Sequence, residues 1–149
     1  MTTVAKRATP AAIAVLRQAT ALRPKRKKAS DGLLPSAAHL SKSPNSDHNT
    51  GYAVDLTHDP KNDIDCFDIY EKLQSDPRVK YLIFTGKIWS AKNGETKYSG
   101  ANQHNKHLHI SIKDNCGNDT SPWFAWMGKV KKLNKVKASM KRLPKKENK

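Results

Sequence analysis

Apolar side chains recur with helical spacing in two stretches of the chain. In the first, Thr9 and Pro10 are typical of a helix start, and apolar residues then recur every three or four positions over residues 10–22. In the second, Asp65 is a suitable N-terminal cap for a helix over residues 66–74. The apolar face of this second helix is predicted to consist of Phe67, Ile69, Tyr70 and Leu73.

Other stretches carry the patterns of β-strands. Residues 52–56 and 108–112 alternate between apolar and other side chains, so each strand is predicted to bury one face. Residues 79–84 are rich in β-branched and aromatic side chains, and the turn that follows them leads into a short strand at residues 88–90. The polar residues 91–103 are predicted to form a loop.

The length and the cysteine content limit the class of protein. A chain of 149 residues is expected to form one domain. Its longest apolar stretch near the start, residues 11–16, is too short for the core of a signal peptide, and no stretch is long enough for a transmembrane helix. We therefore expect synthesis in the cytoplasm. Cys66 and Cys116 lack the spacing of a metal knuckle and are predicted to be free thiols.

The net charge of +15 is concentrated at the two ends of the chain. Residues 1–28 contain eight Lys or Arg and no acidic residue, and residues 129–149 contain ten Lys or Arg and one Glu, whereas residues 29–128 contain ten basic and twelve acidic residues. We therefore divide the chain into a domain over residues 1–128, with a catalytic core at about 29–128 and a basic helix and loop at 1–28, and a basic tail at 129–149. The total charge suggests a nucleic acid partner, but the near-neutral middle argues against a specific nucleic-acid site.

Each basic end also carries a structural prediction. Residues 25–32 are predicted to form a basic, exposed loop. In the tail, apolar residues recur with helical spacing among lysines, which predicts a cationic amphipathic helix over about 129–142. Such a helix can bind an anionic cell envelope, and a solvated tail that aids solubility is the alternative.

Histidine and aspartate positions predict a metal site. His107 and His109 are two residues apart on a predicted strand, so they project from the same face. Asp55 lies on the polar face of the strand at 52–56, and His48 precedes that strand in a turn. If the two strands are neighbours, Asp55 and His109 converge and His48 can join them. Two histidines, one carboxylate and an open fourth position are typical of catalytic Zn²⁺.

These segments resemble a known group of enzymes. They resemble zinc peptidases of the D-alanyl-D-alanine carboxypeptidase-like group, which includes lysostaphin-type and penicillin-insensitive murein endopeptidases and the hedgehog N-terminal fold. Within the group, phage endolysins are the closest likeness, and the resemblance covers roughly residues 15–125. It implies a small, single-domain α+β fold in which an antiparallel sheet forms a zinc cleft, with flanking helices and basic N- and C-terminal arms. The residues that carry the motif are Ser46, His48, Gly51, Ala53, Asp55, His107 and His109.

The resemblance also implies roles for individual residues. His48, Asp55 and His109 match the zinc ligands, and His107 matches a residue that shuttles a proton or stabilises the transition state. Carboxypeptidases of the group place a Glu or Asp three residues before the last ligand as the catalytic base, whereas this chain has Lys106 there. The catalytic role is therefore assigned to His107. The candidates for assisting roles are His104, Ser46 and Arg78, with Tyr98 as a weaker one.

The implied activity is hydrolysis of an amide bond in the peptide part of peptidoglycan. An endolysin of this kind is made in the host cytoplasm as a monomer and acts in the periplasm and cell wall after release by a separate membrane-permeabilising protein. Three bonds remain open: L-alanyl–D-glutamate, the D-alanyl–diaminopimelate cross-link and a terminal D-alanine. Two other functions are alternatives, a metal-dependent nuclease of the His-Asn-His type and a zinc-containing cell-wall-binding module without catalytic activity.

Overall fold

Five antiparallel strands form one sheet in the described part of the chain. The computed structural model describes residues 7–35, 46–100 and 104–128. The order of the strands across the sheet is β1-β5-β2-β3-β4, so the last strand of the chain lies between the first two. With two α-helices, these strands make a small, single-domain α+β fold, as predicted. The elements are α1 Pro10–Leu22, β1 Ala53–Thr57, α2 Cys66–Leu73, β2 Val79–Phe84, β3 Lys87–Ser90, β4 Gly94–Lys97 and β5 His107–Ile112.

Both helices begin at their predicted caps. The Thr9 side chain accepts a hydrogen bond from the backbone of Ala12 at 3.3 Å, and the Asp65 side chain accepts one from the backbone of Phe67 at 3.0 Å. The small side chains on the buried face of α1 allow the helix to approach the sheet closely. Trp123 is buried beside it, and its indole N–H donates to a backbone carbonyl of α1 at 3.0 Å.

The predicted apolar face of α2 is wrong at one position. Phe67 is 56% exposed, and Cys66 takes its place among the buried residues. Cys66, Ile69, Tyr70 and Leu73 follow the helical spacing i, i+3, i+4 and i+7, and Phe67 does not. The Phe67 ring instead lies at the edge of the core, with its centroid 4.8 Å from that of Phe84.

The predicted loop over residues 91–103 contains a strand. β4 pairs with β3 at the edge of the sheet, and its four residues are polar or glycine. An edge strand of this kind buries neither face, so its sequence lacks the alternation that identifies a strand. The preceding hairpin was predicted correctly, and Thr85 and Gly86 both have a positive φ (47° and 78°), as a two-residue turn of this kind requires.

The basic loop is not exposed throughout. Arg26 is buried, and its guanidinium binds both carboxylate oxygens of Asp31, at 3.0 and 2.8 Å. One of those oxygens also accepts from the backbone N–H and the hydroxyl of Thr57, at 3.1 and 2.7 Å. The loop is therefore attached to β1, while Lys27 and Lys28 remain on its exposed side.

The remaining expectations concern cysteines, membranes and the tail. Cys66 and Cys116 are free thiols, and burial raises the pKa of Cys66. No helix in the described ranges is both long and apolar enough to cross a bilayer. The predicted tail helix, and the tail as a whole, lie outside the described residues.

Candidate metal centre

Asp55 and His109 are direct partners in the β1–β5 ladder. The antiparallel register also pairs Thr57 with His107. Directly opposed side chains project from the same face of a sheet. The alternate positions, including Leu56 and Leu108, are fully buried in the core. The predicted convergence of Asp55 with His109 is therefore confirmed.

A short turn brings His48 to the same place. His48 lies in a 3₁₀ turn over Asp47–Thr50, where the Ser46 hydroxyl oxygen accepts from the His48 backbone N–H at 3.2 Å. The turn ends at Gly51 with φ +81°, and a side chain there would meet the Arg7 carbonyl oxygen at 2.9 Å. Glycine is required at this position for both reasons. Ser46, a candidate for an assisting role, thus holds the turn that carries His48.

His48, Asp55 and His109 form a group that can hold a metal ion. His48 Nε2 and His109 Nδ1 are each 3.2 Å from Asp55 Oδ1, and the three ligand atoms all lie within 4.8 Å of one another. The two histidines are buried and the aspartate is partly exposed. His107 Nε2 lies 3.6 Å from the same carboxylate oxygen, on a side chain that is more accessible. The group therefore has three buried or partly buried ligand residues, and the more accessible His107 lies on the side from which a substrate could reach them.

Residues 32 and 33 hold two of these ligands, Asp55 and His48, in place. Gly32 pairs with Asp55 through backbone hydrogen bonds of 3.1 and 2.8 Å. A Cβ atom at Gly32 would lie 3.1 Å from Asp55 Oδ2, so a larger residue there would have to displace the carboxylate by a few tenths of an ångström. The next residue, Leu33, accepts a hydrogen bond from His48 Nδ1 at 2.7 Å. That bond keeps the proton on Nδ1 and directs Nε2 toward Asp55.

Hydrogen bonds at both ring nitrogens orient His109. Its Nε2 lies 2.8 Å from Ser111 Oγ, and its Nδ1 lies 3.2 Å from Asp55 Oδ1. A hydroxyl can donate or accept: Nδ1–H can donate to Asp55, or Ser111 Oγ can accept from Nε2–H and leave the Nδ1 lone pair for an ion. Tyr81 is the cross-strand partner of Ser111. Burial and the Asp47 carboxylate raise the pKa of Tyr81 to about 12, against a smaller opposing effect of Ser111, so the phenol keeps its proton at neutral pH.

Sequence reasoning did not identify Tyr81 as a residue of the site. The Tyr81 ring stacks on His109 with a centroid distance of 5.4 Å and an interplanar angle of 19°. β2 is mostly apolar apart from Lys80, and this pattern does not show that one face lines a site. The pairing of Tyr81 with Ser111 across β2 and β5 is the missing signal, and it depends on the order of the strands.

The charges of the group are strongly coupled. Burial favours the neutral form of Asp55, but hydrogen bonds from His109 Nδ1–H and, when His48 is protonated on both nitrogens, from His48 Nε2–H lower the pKa of its carboxyl well below the usual range. Burial also opposes the charged form of His48, yet Asp55 and the Leu33 carbonyl raise its pKa above 6.5. For His107, burial lowers the pKa below 6.5 despite Asp55, and the neighbouring His109 and His48 act in the same direction. His107 is therefore neutral at pH 7 and can accept a proton.

The structure places the two other assisting candidates differently. The His104 ring lies 5.0 Å from that of His107 and 5.6 Å from that of His109, between the site and Tyr98. Arg78 instead packs on Trp123 at 3.6 Å, and its five N–H groups bind Asp76 and the backbone of residues 119–122. These contacts engage every donor of the guanidinium within the domain, which gives Arg78 a structural role, and its assisting role stays a prediction.

Ser111→Ala is expected to weaken metal binding by about 10- to 100-fold, because it removes the hydroxyl that hydrogen-bonds to His109 Nε2 at 2.8 Å. Competition with a chromogenic chelator measures the affinity. Ser90→Ala is the matched control, since it also removes a strand hydroxyl, one that accepts from the Asn93 backbone N–H at 3.0 Å. Equal affinities of the Ser111→Ala variant and the unmodified protein would show that the Ser111 hydroxyl does not orient His109.

Comparison of the chain with protein-family models, with curated proteins and with solved structures found no match.

Proposed function

We propose that this protein is a zinc-dependent peptidoglycan peptidase that hydrolyses an amide bond of the cell-wall peptide, and that it acts as a phage endolysin in lysis of the host. One observation carries the proposal. A His-Asp-His group with both imidazoles oriented by hydrogen bonds lies on one face of a sheet, with the more accessible His107 beside it. The motif resemblance described above supplies the substrate class.

The donor set fits zinc. Two imidazoles and one carboxylate are ligands that Zn²⁺ takes in catalytic sites, where a fourth position stays open. In such sites the second nitrogen of each ligand histidine is bound to a carbonyl, carboxylate or other oxygen, as it is here for both. When bound, zinc would polarise the substrate carbonyl and lower the pKa of a bound water to about 7.

The proton transfers of the reaction are assigned to His107. Hydrolysis breaks the C–N bond, adds a hydroxyl group to the carbonyl carbon and delivers a proton to the leaving amine. His107 Nε2 lies on the accessible side of Asp55, and neutral imidazole can take a proton and later donate it. Lys106, as an ammonium ion, cannot accept one. His104 is close enough to His107 to support its orientation.

His107→Ala is expected to retain one equivalent of zinc and to lose at least about 100-fold in lytic rate, the usual range for loss of a general acid–base group. Zinc content after dialysis and the loss of turbidity of chloroform-treated Gram-negative cells or isolated sacculi are the two measurements. Lys92→Ala, an exposed change in the turn between β3 and β4, serves as the control. Loss of zinc together with activity would show that His107 is a ligand and not the proton-transfer residue.

The same assay tests the proposal as a whole. Zinc binding without any lysis would favour the cell-wall-binding module, and metal-dependent nicking of plasmid DNA would favour the nuclease.

The proposal includes release from the cytoplasm by a separate membrane-permeabilising protein and contact of the basic tail with an anionic envelope. Removal of residues 129–149 should then slow lysis of whole cells more than lysis of isolated sacculi.

A further inference from the structure

A groove of about 450 Å³ lies next to His107. Ser30 and Asp31 form one side of it, and Asn105, Lys106 and His107 form the other. Its size is within the range of small-molecule and peptide side-chain pockets. His107 links the groove to the metal group, because its Nε2 lies 3.6 Å from the Asp55 carboxylate.

Lys106 provides the uncompensated charge of this groove. Asp31 is also present, but its carboxylate is occupied by the buried Arg26 guanidinium and by Thr57. Among the described residues, no carboxylate lies within ion-pair distance of the Lys106 ammonium group. The Lys106 carbonyl accepts from the His58 backbone N–H at 2.9 Å, which fixes the main chain from which the side chain extends. The groove therefore presents a positive charge to whatever enters it.

We infer that Lys106 binds a free carboxylate of the substrate and thereby selects which peptides are cleaved. The inference rests on the proposed function and names the substrate class of the same site. Peptidoglycan stem peptides carry carboxylates that are not used in amide bonds, on γ-linked D-glutamate, on diaminopimelate and at the C-terminus. An ammonium ion binds such a carboxylate more strongly than it binds the corresponding carboxamide, whose oxygen accepts a hydrogen bond but carries no charge.

The position of Lys106 limits which carboxylate is bound. It is the residue next to His107, which faces the scissile bond, and an extended peptide advances about 3.3 Å per residue. The recognised carboxylate therefore belongs to one of the two residues joined by the scissile bond or to their immediate neighbours. A uniformly positive surface would not impose this restriction, since it would favour any anionic peptide.

The experiment compares stem peptides that are identical except that one carboxylate at a time is converted to a carboxamide. Unmodified protein should cleave the peptide with the free carboxylate about 10- to 100-fold faster in kcat/KM, with most of the effect in KM, as for a hydrogen bond to a charged group. Lys106→Met should lose this preference and cleave both peptides at the rate of the carboxamide, whereas Lys106→Arg should retain most of it. Lys92→Met is the matched control and should keep the full preference.

A binding measurement separates recognition from catalysis. Calorimetric titration of the zinc-loaded His107→Ala variant should show the same preference in Kd, and the double variant with Lys106→Met should lose it. If the unmodified protein lyses sacculi but does not distinguish any carboxylate from its carboxamide, the inference is wrong and the proposed function stands. If Lys106→Glu increases turnover of both peptides, position 106 serves the chemistry and not recognition. If sacculi and peptides are all left intact and no peptide binds, both the inference and the proposed function fail.

Discussion

The substitution His109→Ala is expected to abolish metal binding and lysis together. His109 supplies one of three ligand atoms, and its other ring nitrogen is hydrogen-bonded to the Ser111 hydroxyl. Removing a ligand should reduce the affinity for zinc by more than the roughly 10- to 100-fold typical of an outer-shell partner. Zinc content by mass spectrometry and turbidity of isolated sacculi measure the two effects.

The control is His58→Ala, another histidine that lies beside the sheet but whose Nδ1 accepts from the backbone N–H of Cys66. This variant should keep its zinc. Removing the ion from unmodified protein with a chelator should reproduce the His109→Ala phenotype, and added zinc should restore lysis only in the unmodified protein. A His109→Ala variant that lyses sacculi at the normal rate in the presence of chelator would contradict the metal-dependent mechanism.

Replacing Arg78 with methionine is expected to lower the free energy of unfolding by about 3–5 kcal/mol, the usual cost of removing one partner of a buried ion pair. The change leaves the largely buried Asp76 carboxylate without its cation, leaves backbone carbonyls of the 119–122 segment without their donor, and removes the contact with Trp123. For a domain of this size, a loss in that range lowers Tm by on the order of 10 °C. Urea and thermal unfolding measure it.

Arg17→Met is the matched control for that experiment. Arg17 lies on the exposed side of α1, and surface changes of this kind usually alter stability by less than about 0.5 kcal/mol. Zinc content and lytic rate per folded molecule of the Arg78→Met variant should stay normal at a temperature where it is folded. Normal stability combined with lost activity would show that Arg78 has the predicted assisting role and not a structural one.

Local signals in the sequence were sufficient for the elements that are capped or strongly patterned. Thr9 and Asp65 cap their helices as predicted, because capping depends only on residues a few positions apart. The spacing of His107 and His109 was sufficient to place both on one face, because strand alternation is also local. The pairing of Asp55 with His109 was stated as a condition, since sequence spacing alone does not show which strands are neighbours.

Features that depend on tertiary contacts could not be predicted in this way. Arg26 was expected to be exposed because charged residues usually are. It is buried because its guanidinium pairs with Asp31, and Asp31 in turn is bound by Thr57 of β1. The Leu33 carbonyl that orients His48 is a main-chain group, which no side-chain motif identifies. Tyr81 lies at the site because β2 is the neighbour of β5, and spacing along the sequence does not show which strands are neighbours.

The central place of β5 in the sheet has a consequence for how the chain folds as it is made. β1 and β2 leave the ribosome before the strand that joins them, and until it arrives their facing edges have unpaired N–H and C=O groups. Pairing over such sequence separations is slow, and the exposed apolar faces permit aggregation in the meantime. A nascent chain that stops short of residue 107 contains His48 and Asp55 but has no ion site. The group that can hold a metal ion is therefore complete only when β5 enters the sheet.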